Sequence, residues 1–328
     1  MKICFDFKEI LNFDKPIAVA IGNFDGVHIG HQQLIRTCVE ESHEKGWLSC
    51  AMTFHPHPKS FFDKEGDFKL INTPEQKYNL IALLGIDILI VIPFDKYFSE
   101  TSPEDFIAKY LVKFMHIKKI YIGFNFFFGK MGRGTPELLA DHGKKYEYET
   151  KIIPPIYIND SLVSSSLVRE QYRTGNIKAA FELLGYWPFF EGIVEKGEGR
   201  GRNIGFRTAN IHIPNELLLP RYGVYAAWAE IPDDQKNEDT NFYPAIVNIG
   251  IRPTFHIEKP IIEIHLLDYS EDIYKKYLRI NLLGFIRDEL YFTDMNEMRR
   301  QIESDIKEAR NLLKQKTFNI NYLHYKLI

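Results

Sequence analysis

Two histidines three residues apart stand in the string Gly22-Asn-Phe-Asp-Gly-Val-His-Ile-Gly-His31. The turn residues Gly22, Asn23 and Gly26 precede them, and a helix is expected to begin near Gly30. The free N–H groups and positive dipole end of that helix favour an anion, and His28 and His31 add donors for phosphate oxygens. With 11 His and 21 Gly in the chain, a His-x-Gly-His match is expected by chance only about 0.02 times. Farther along, Val163-Ser-Ser-Ser-Leu-Val-Arg169 puts the hydroxyls of Ser164, Ser165 and Ser166 at a loop-to-helix junction with Arg169 one turn on. Such a group can hold phosphates, although serine at a helix start is also an ordinary cap. The stretch from Gly192 to Gly205 contains Gly197, Gly199, Arg200 and Gly205, which fits a loop whose backbone approaches phosphate. Thr208 and Asn210 are two residues apart, so in a strand they share a face. Their oxygens are hard ligands of the kind Mg²⁺ takes, and they would serve equally as a plain strand edge. Glu263 sits in Ile261-Ile-Glu-Ile-His-Leu-Leu267, a carboxylate among apolar neighbours that could act as a general base.

These groups need elements to position them. Ile17–Ile21 is a continuous apolar run with β-branched members, as expected of a buried parallel strand. Leu48–Phe54, Ile86–Ile92, Lys119–Gly123 and Tyr148–Ile153 read as further strands. Thr73-Pro74, Ser102-Pro103 and Thr135-Pro136 open helices between them, with a capping hydroxyl and a proline in the first turn. Alternating strands and helices imply βαβ units and a parallel sheet. Near Gly185 the pattern changes to short strands, with Ile193–Lys196, Gly223–Ile231, Ala245–Ile249 and Ile261–Leu267 as the candidates. Pro232–Asn241 reads as a surface loop and Met295–Lys316 as a helix. The expected division is 1–186 and 187–328.

The bulk composition excludes several classes. A net charge of −3 from 41 basic and 44 acidic side chains gives no footprint for nucleic acid or an anionic membrane. No apolar run is long enough to cross a bilayer, and no apolar signal segment follows the N-terminus. Three scattered cysteines suggest neither a disulfide framework nor a zinc site, so the cytoplasm is the expected compartment. Any self-association is expected to be weak.

The string around His28 and His31 resembles the signature of the HIGH superfamily of nucleotidyltransferases. The fuller string resembles the FMN adenylyltransferase module of the bifunctional bacterial riboflavin kinase/FAD synthetases. Thr53-Phe-His-Pro-His-Pro58 and Gly123-Phe-Asn-Phe-Phe-Phe-Gly129 fit the same family. In the second half, Gly205-Phe-Arg-Thr-Ala-Asn210, Asn248-Ile-Gly-Ile-Arg-Pro-Thr254 and Phe285-Ile-Arg-Asp288 are similar to its kinase module. The resemblance implies a Rossmann-like α/β nucleotidyltransferase followed by a small antiparallel β-barrel with a C-terminal helix. It implies two ATP-dependent reactions, riboflavin to FMN and FMN to FAD with release of pyrophosphate, with Mg²⁺ as cofactor and ATP, riboflavin and FMN as the small-molecule partners.

Carried over residue by residue, His28 and His31 bind the α/β-phosphates, and Asn125, Ser164–Ser166 and Arg169 complete the first nucleotide site. His57, Pro58, Phe62 and Phe128 are flavin-side residues, the two phenylalanines reading equally as core. Thr208 and Asn210 become metal and ATP ligands, Glu263 the base for the ribityl hydroxyl, and Arg287 a flavin-side contact. Three positions depart from the pattern. Arg207 stands where the kinase motif has proline, and Phe127 and Leu167 stand where the first module usually has arginine. A kinase with an impaired adenylyltransferase half, and a flavin-binding regulator without turnover, remain as alternatives.

Overall fold

The structure, a computed structural model, describes residues 1–6, 9, 14–195, 206–232, 240–254 and 257–315. The chain divides into two compact units between Ser165 and Ser166. The first is built on a six-stranded sheet in the order β1-β4-β3-β2-β5-β6. Its strands are β1 (Lys2–Cys4), β2 (Ile17–Ile21), β3 (Leu48–His55), β4 (Ile88–Pro93), β5 (Ile117–Gly123) and β6 (Glu149–Ile153). Every pairing in it is parallel. β2 is apolar throughout and all five of its residues are buried, as two-sided burial requires.

The chain runs outward from β2 through β3 and β4 on one side and through β5 and β6 on the other. The carboxyl end of β2 is therefore the point where strand order reverses, the place at which open parallel sheets form a ligand crevice. Helix α1 (Ile29–Glu44) follows β2 and buries Leu34, Ile35, Cys38 and Val39 against the sheet. A short helix α2 (Pro58–Phe62) follows β3. Helix α3 (Pro74–Ala82) begins with a reciprocal cap, in which the Thr73 hydroxyl accepts from the Gln76 N–H and the Gln76 side chain accepts from the Thr73 N–H. A π-helical segment over Phe106–Phe114 and helix α4 (Pro136–Tyr146) complete the helices framing β5 and β6. A two-residue hairpin, β7 (Tyr157–Ile158) and β8 (Ser161–Leu162), leads to helix α5 (Ser165–Thr174).

Helix α5 ends at Gly175 and helix α6 (Ile177–Leu184) follows. This helical pair goes with the barrel, for the Arg221 N–H donates to the Tyr172 carbonyl at 2.9 Å. The barrel closes in the order β10-β13-β12-β11-β14-β9. Its strands are β9 (Phe189–Glu195), β10 (Ala209–Ile211), β11 (Gly223–Pro232), β12 (Thr240–Thr254), β13 (Ile257–Leu266) and β14 (Tyr277–Arg287), all antiparallel. Helix α7 (Met295–Gln315) packs Ala309 against Ala226 and Ile246 on the outside of the barrel. The interior is filled by Tyr225, Val247, Ile262, Ile264 and Leu282. No helix among the described residues is long and apolar enough to cross a membrane.

The strands β1, β7, β8, β10 and β14 lie outside the sequence expectations. β1 is three residues long with Lys2 and Ile3 exposed, so it carries no apolar run. β14 puts the buried polar side chains of Arg279 and Asn281 between Leu278, Ile280 and Leu282, which interrupts a hydrophobic reading. The expected loop at 232–241 falls largely outside the described residues.

Ile120 is fully buried at the centre of the first sheet, between β2 and β6. Ile120→Ala should destabilise the protein by about 2–5 kcal/mol, read as a lower urea midpoint.

Candidate functional site

The loop between β2 and α1 is held by groups from four segments. Gly26 has a φ of +80°, and a Cβ there would meet Ile71 at 2.9 Å, so glycine is required. The buried Asp25 carboxylate accepts the Ile71 N–H at 3.0 Å. The Asn23 carbonyl accepts from the Thr53 hydroxyl at 3.1 Å and from Lys77 Nζ at 3.3 Å. Ser165 donates its hydroxyl to the Asp25 carbonyl at 2.8 Å. Gly22 allows the Phe24 ring to lie where a Cβ would be only 2.8 Å from it.

His28 caps α1. It is buried, and its Nδ1 accepts the His31 N–H at 3.4 Å. An accepting Nδ1 leaves Nε2 as the protonated nitrogen of the neutral ring. The two imidazoles stack with centroids 3.6 Å apart. His31 Nδ1 is buried with no hydrogen-bond partner among the described residues. Burial, and after it the neighbouring His28, Lys77 and His57, push the His31 pKa well below its usual value. His31 is therefore neutral at pH 7 and stands beside a helix N-terminus, where an incoming anion would favour its charged form.

Lys77 is the residue of this site that sequence reasoning missed. A lysine inside a helix reads as a solvated side chain, yet this one is buried on α3. Its ammonium donates to Asn23 and to Thr53 Oγ1 at 3.1 Å, and burial lowers its pKa to about 8 against the opposing charge of Asp25.

The other predicted residues take varied places. His57 caps α2 by accepting the Lys59 N–H at 3.0 Å and stacks on Phe68, with Pro58 as the first residue of that helix. Phe62 is 63% exposed beside Phe61 and Phe94. Phe128 instead lies in the core against Phe106 and Phe126, and Gly134 leaves room for its ring. Phe127 and Asn125 are exposed. Ser164 and Ser165 are half-buried and Ser166 exposed, while Arg169 is buried on α5 in the second unit.

A second constellation lies on the barrel. Asn210 on β10 and Asn248 on β12 are the direct partners of Glu263 on β13. Opposed residues of antiparallel strands project from the same face. Ala209, Ile211, Val247, Ile249, Ile262 and Ile264 fill the interior, so the Asn210–Glu263–Asn248 row projects outward. There, a cavity of ≈ 170 Å³ is lined by barrel residues including Thr208, Asn248, Glu263 and His265, and by Met298, Ile302 and Asp305 of α7. Asn210 Oδ1 is buried with no hydrogen-bond partner among the described residues. A buried acceptor left in that state costs free energy, and a bound cation would satisfy it.

Arg287 lines the same cavity, with its guanidinium turned to Asp305. Nε and Nη2 reach the Asp305 oxygens at 2.9 and 2.7 Å, a two-pronged pair between β14 and α7. Glu289 leans over Gly250, where a Cβ would fall 1.8 Å from its Oε1. Burial raises the Glu289 pKa, opposed by a hydrogen bond with Asn248 and reinforced by the charge of Glu263. Asn248 stood in a string that sequence reasoning quoted, whereas Asp305 sits in a charged helix that gave no sign of it. Gly197, Gly199, Arg200 and Gly205 lie outside the described residues.

The family model described as FAD synthetase matches residues 11–167, and the one described as riboflavin kinase matches residues 184–313. The bifunctional riboflavin kinase/FMN adenylyltransferase of Bacillus subtilis is 37% identical over 297 residues, covering 89% of this chain and 90% of that relative. The protein with the same description from Buchnera aphidicola subsp. Acyrthosiphon pisum is 33% identical over 323 residues, 98% of this chain and 99% of its own length. A crystal structure described as a macrolide-efflux protein from Streptococcus pneumoniae superposes with a TM-score of 0.83 at 29% identity. That likeness covers 94% of this chain and 98% of the other.

Burial depresses the Lys77 pKa, so the folded protein binds fewer protons than the unfolded chain between about pH 8 and 10.5. Stability should rise as pH increases through that window, by about 1–3 kcal/mol from this group. Lys77→Met should flatten that rise in urea midpoints measured across it.

Proposed function

The chain belongs to the family of bifunctional riboflavin kinases/FMN adenylyltransferases, and we propose that its two constellations divide the two reactions. It phosphorylates riboflavin to FMN and adenylylates FMN to FAD, using ATP in both steps. The impaired-half and binding-only alternatives find no support in these matches.

In the first unit, the FMN phosphate attacks the α-phosphorus of ATP and pyrophosphate leaves. His28, through Nε2–H, and His31 donate to the α- and β-phosphates at the start of α1, where the helix dipole adds favourable charge. Ser164 holds the outer phosphates, with Asn125 beside the nucleotide. Ser165 fixes the loop through Asp25. His57, Pro58 and Phe62 border the flavin, and the exposed Phe62 ring is the aromatic face on offer there. We keep Phe128 as a support beneath that border rather than as a stacking face. The single observation behind this assignment is the stacked His28–His31 pair at the end of the switch-point strand.

In the second unit, Glu263 takes the proton of the ribityl hydroxyl as its oxygen attacks the γ-phosphorus of ATP, and ADP leaves. Thr208 and Asn210 hold Mg²⁺, which neutralises phosphate charge when bound. Arg287 acts on the flavin side through the Asp305 pair, by fixing the wall of the cavity. Gly197, Gly199, Arg200 and Gly205 supply backbone and charge to the phosphates. The reactions are placed in the cytoplasm, where ATP is supplied and three buried free thiols persist.

The test is chromatographic separation of products after incubation with Mg²⁺-ATP and either riboflavin or FMN. Glu263→Ala should cut FMN formation by about 10²–10⁴-fold and leave FMN-to-FAD turnover intact, and His28→Ala should do the reverse. Absence of product from both substrates with the wild-type protein would overturn the reading. Asn210→Leu removes a buried acceptor without a partner. It should raise the stability of the ligand-free protein by about 1–2 kcal/mol while abolishing the added stabilisation by Mg²⁺-ADP, both read in thermal melts.

A further inference from the structure

The departure at Arg207 lies at the entrance to the ligand strand. β10 begins at Ala209, and its ladder to β13 runs Ala209↔Ile264, Asn210↔Glu263 and Ile211↔Ile262. Phe206, Arg207 and Thr208 precede the ladder and take no part in it. A residue that must offer a hydroxyl to a metal needs a fixed backbone, and nothing in the ladder fixes Thr208.

Three contacts do this instead. The Arg207 carbonyl accepts from His265 Nδ1 at 2.8 Å. Its guanidinium Nη1 donates to the Ser270 carbonyl at 2.7 Å, across the turn that follows β13. The Phe206 ring meets the His265 imidazole edge to face at 5.3 Å. His265 is two residues from Glu263 on the same face of β13, and both line the cavity with Thr208 and Phe206. The side chain of His265 thus extends the β10–β13 pairing by one step, and Arg207 ties the far side of that step to the turn. The His265 bond does not switch with pH, because the Nδ1 proton is present in the imidazolium and in the neutral tautomer that donates to the carbonyl. The ionisable groups around it, Glu263, Glu289, Arg287 and Asp305, line the same cavity.

We propose that Arg207 is a positioning residue of the kinase reaction. With His265 it clamps the approach to Thr208 and Asn210, doing by two hydrogen bonds what a proline does by fixing φ. This rests on the assignment of Mg²⁺ and ATP to Thr208 and Asn210. The clamp acts on the ground-state placement of the metal–nucleotide ligands, so it affects nucleotide affinity more than the chemical step. The guanidinium reaches the Ser270 carbonyl through Nη1, so its action on the site runs through the backbone.

The experiment is steady-state kinetics of FMN formation by the full chain, varying Mg²⁺-ATP and riboflavin separately, with FMN-to-FAD turnover as the internal control. Arg207 is exposed, so truncation opens no core cavity. Arg207→Ala should raise KM for Mg²⁺-ATP about five- to tenfold, with kcat and the riboflavin KM within about twofold, as expected for the loss of one hydrogen bond to a charged donor. Arg207→Pro should restore the wild-type KM, since proline stiffens the same step. His265→Phe, which keeps the ring and deletes the donor, should reproduce the alanine signature. An unchanged KM in Arg207→Ala would overturn the proposal. So would equal impairment of the alanine and proline variants with rescue by Arg207→Lys, the pattern of a direct phosphate contact. Failure of the wild-type protein to make FMN would instead remove the kinase reading on which it rests.

Discussion

The interior of the barrel is closed by Tyr225, Ile262, Ile264 and Leu282, so a side chain that must meet a substrate can leave these strands only through the outer face. Strand alternation then decides which residues are available. Glu263 and His265 point outward because Ile262 and Ile264 point inward, and Asn210 and Asn248 join them because the register sets them opposite Glu263. A one-residue slip of β13 would bury the carboxylate in an apolar core and expose two isoleucines. The helix α7 then roofs this outer face, with Arg287–Asp305 tying it to β14. The cavity is thus a product of packing between a filled barrel and a helix outside it.

The first unit meets the same constraint differently. Its sheet is buried on both faces, so chemistry moves to the strand ends, and the reversal of order at β2 opens the crevice there. What makes the crevice usable is the fixing of one short loop. Thr53, Ile71, Lys77 and Ser165 come from elements far apart in sequence and converge on the stretch from Asn23 to Asp25. The buried ammonium of Lys77 is costly to desolvate, as its lowered pKa reflects. The same reasoning applies to Asn210, whose buried oxygen lacks a partner among the described residues. Each is locally unfavourable in the protein without a ligand.

The alternation of strands and capped helices up to Ile153, and the change to short strands afterwards, were legible because they rest on local periodicity and on caps such as Thr73-Pro74. His28 and His31 stood out by type and spacing, whereas Thr208, Asn210 and Glu263 gained meaning only from the resemblance to a family. Less legible were β14, whose buried Arg279 and Asn281 break the apolar pattern, and the placement of α5 and α6 with the barrel. Phe62 and Phe128 lie in similar aromatic surroundings, yet one is exposed and the other is core.

The sequence by itself determined the order of the two folds, the families they belong to, and which residue types could bind phosphate, hold a cation or accept a proton. Those properties follow from side-chain chemistry and from periods of two and 3.6 residues, both local. Only the tertiary structure decided that Lys77 is buried beside Asn23, that Arg287 is held by Asp305, and that Arg207 is bound by His265 and Ser270. Each of these depends on a contact between residues distant in the chain, and burial and hydrogen-bond partners at such contacts are set by packing, which no local pattern encodes.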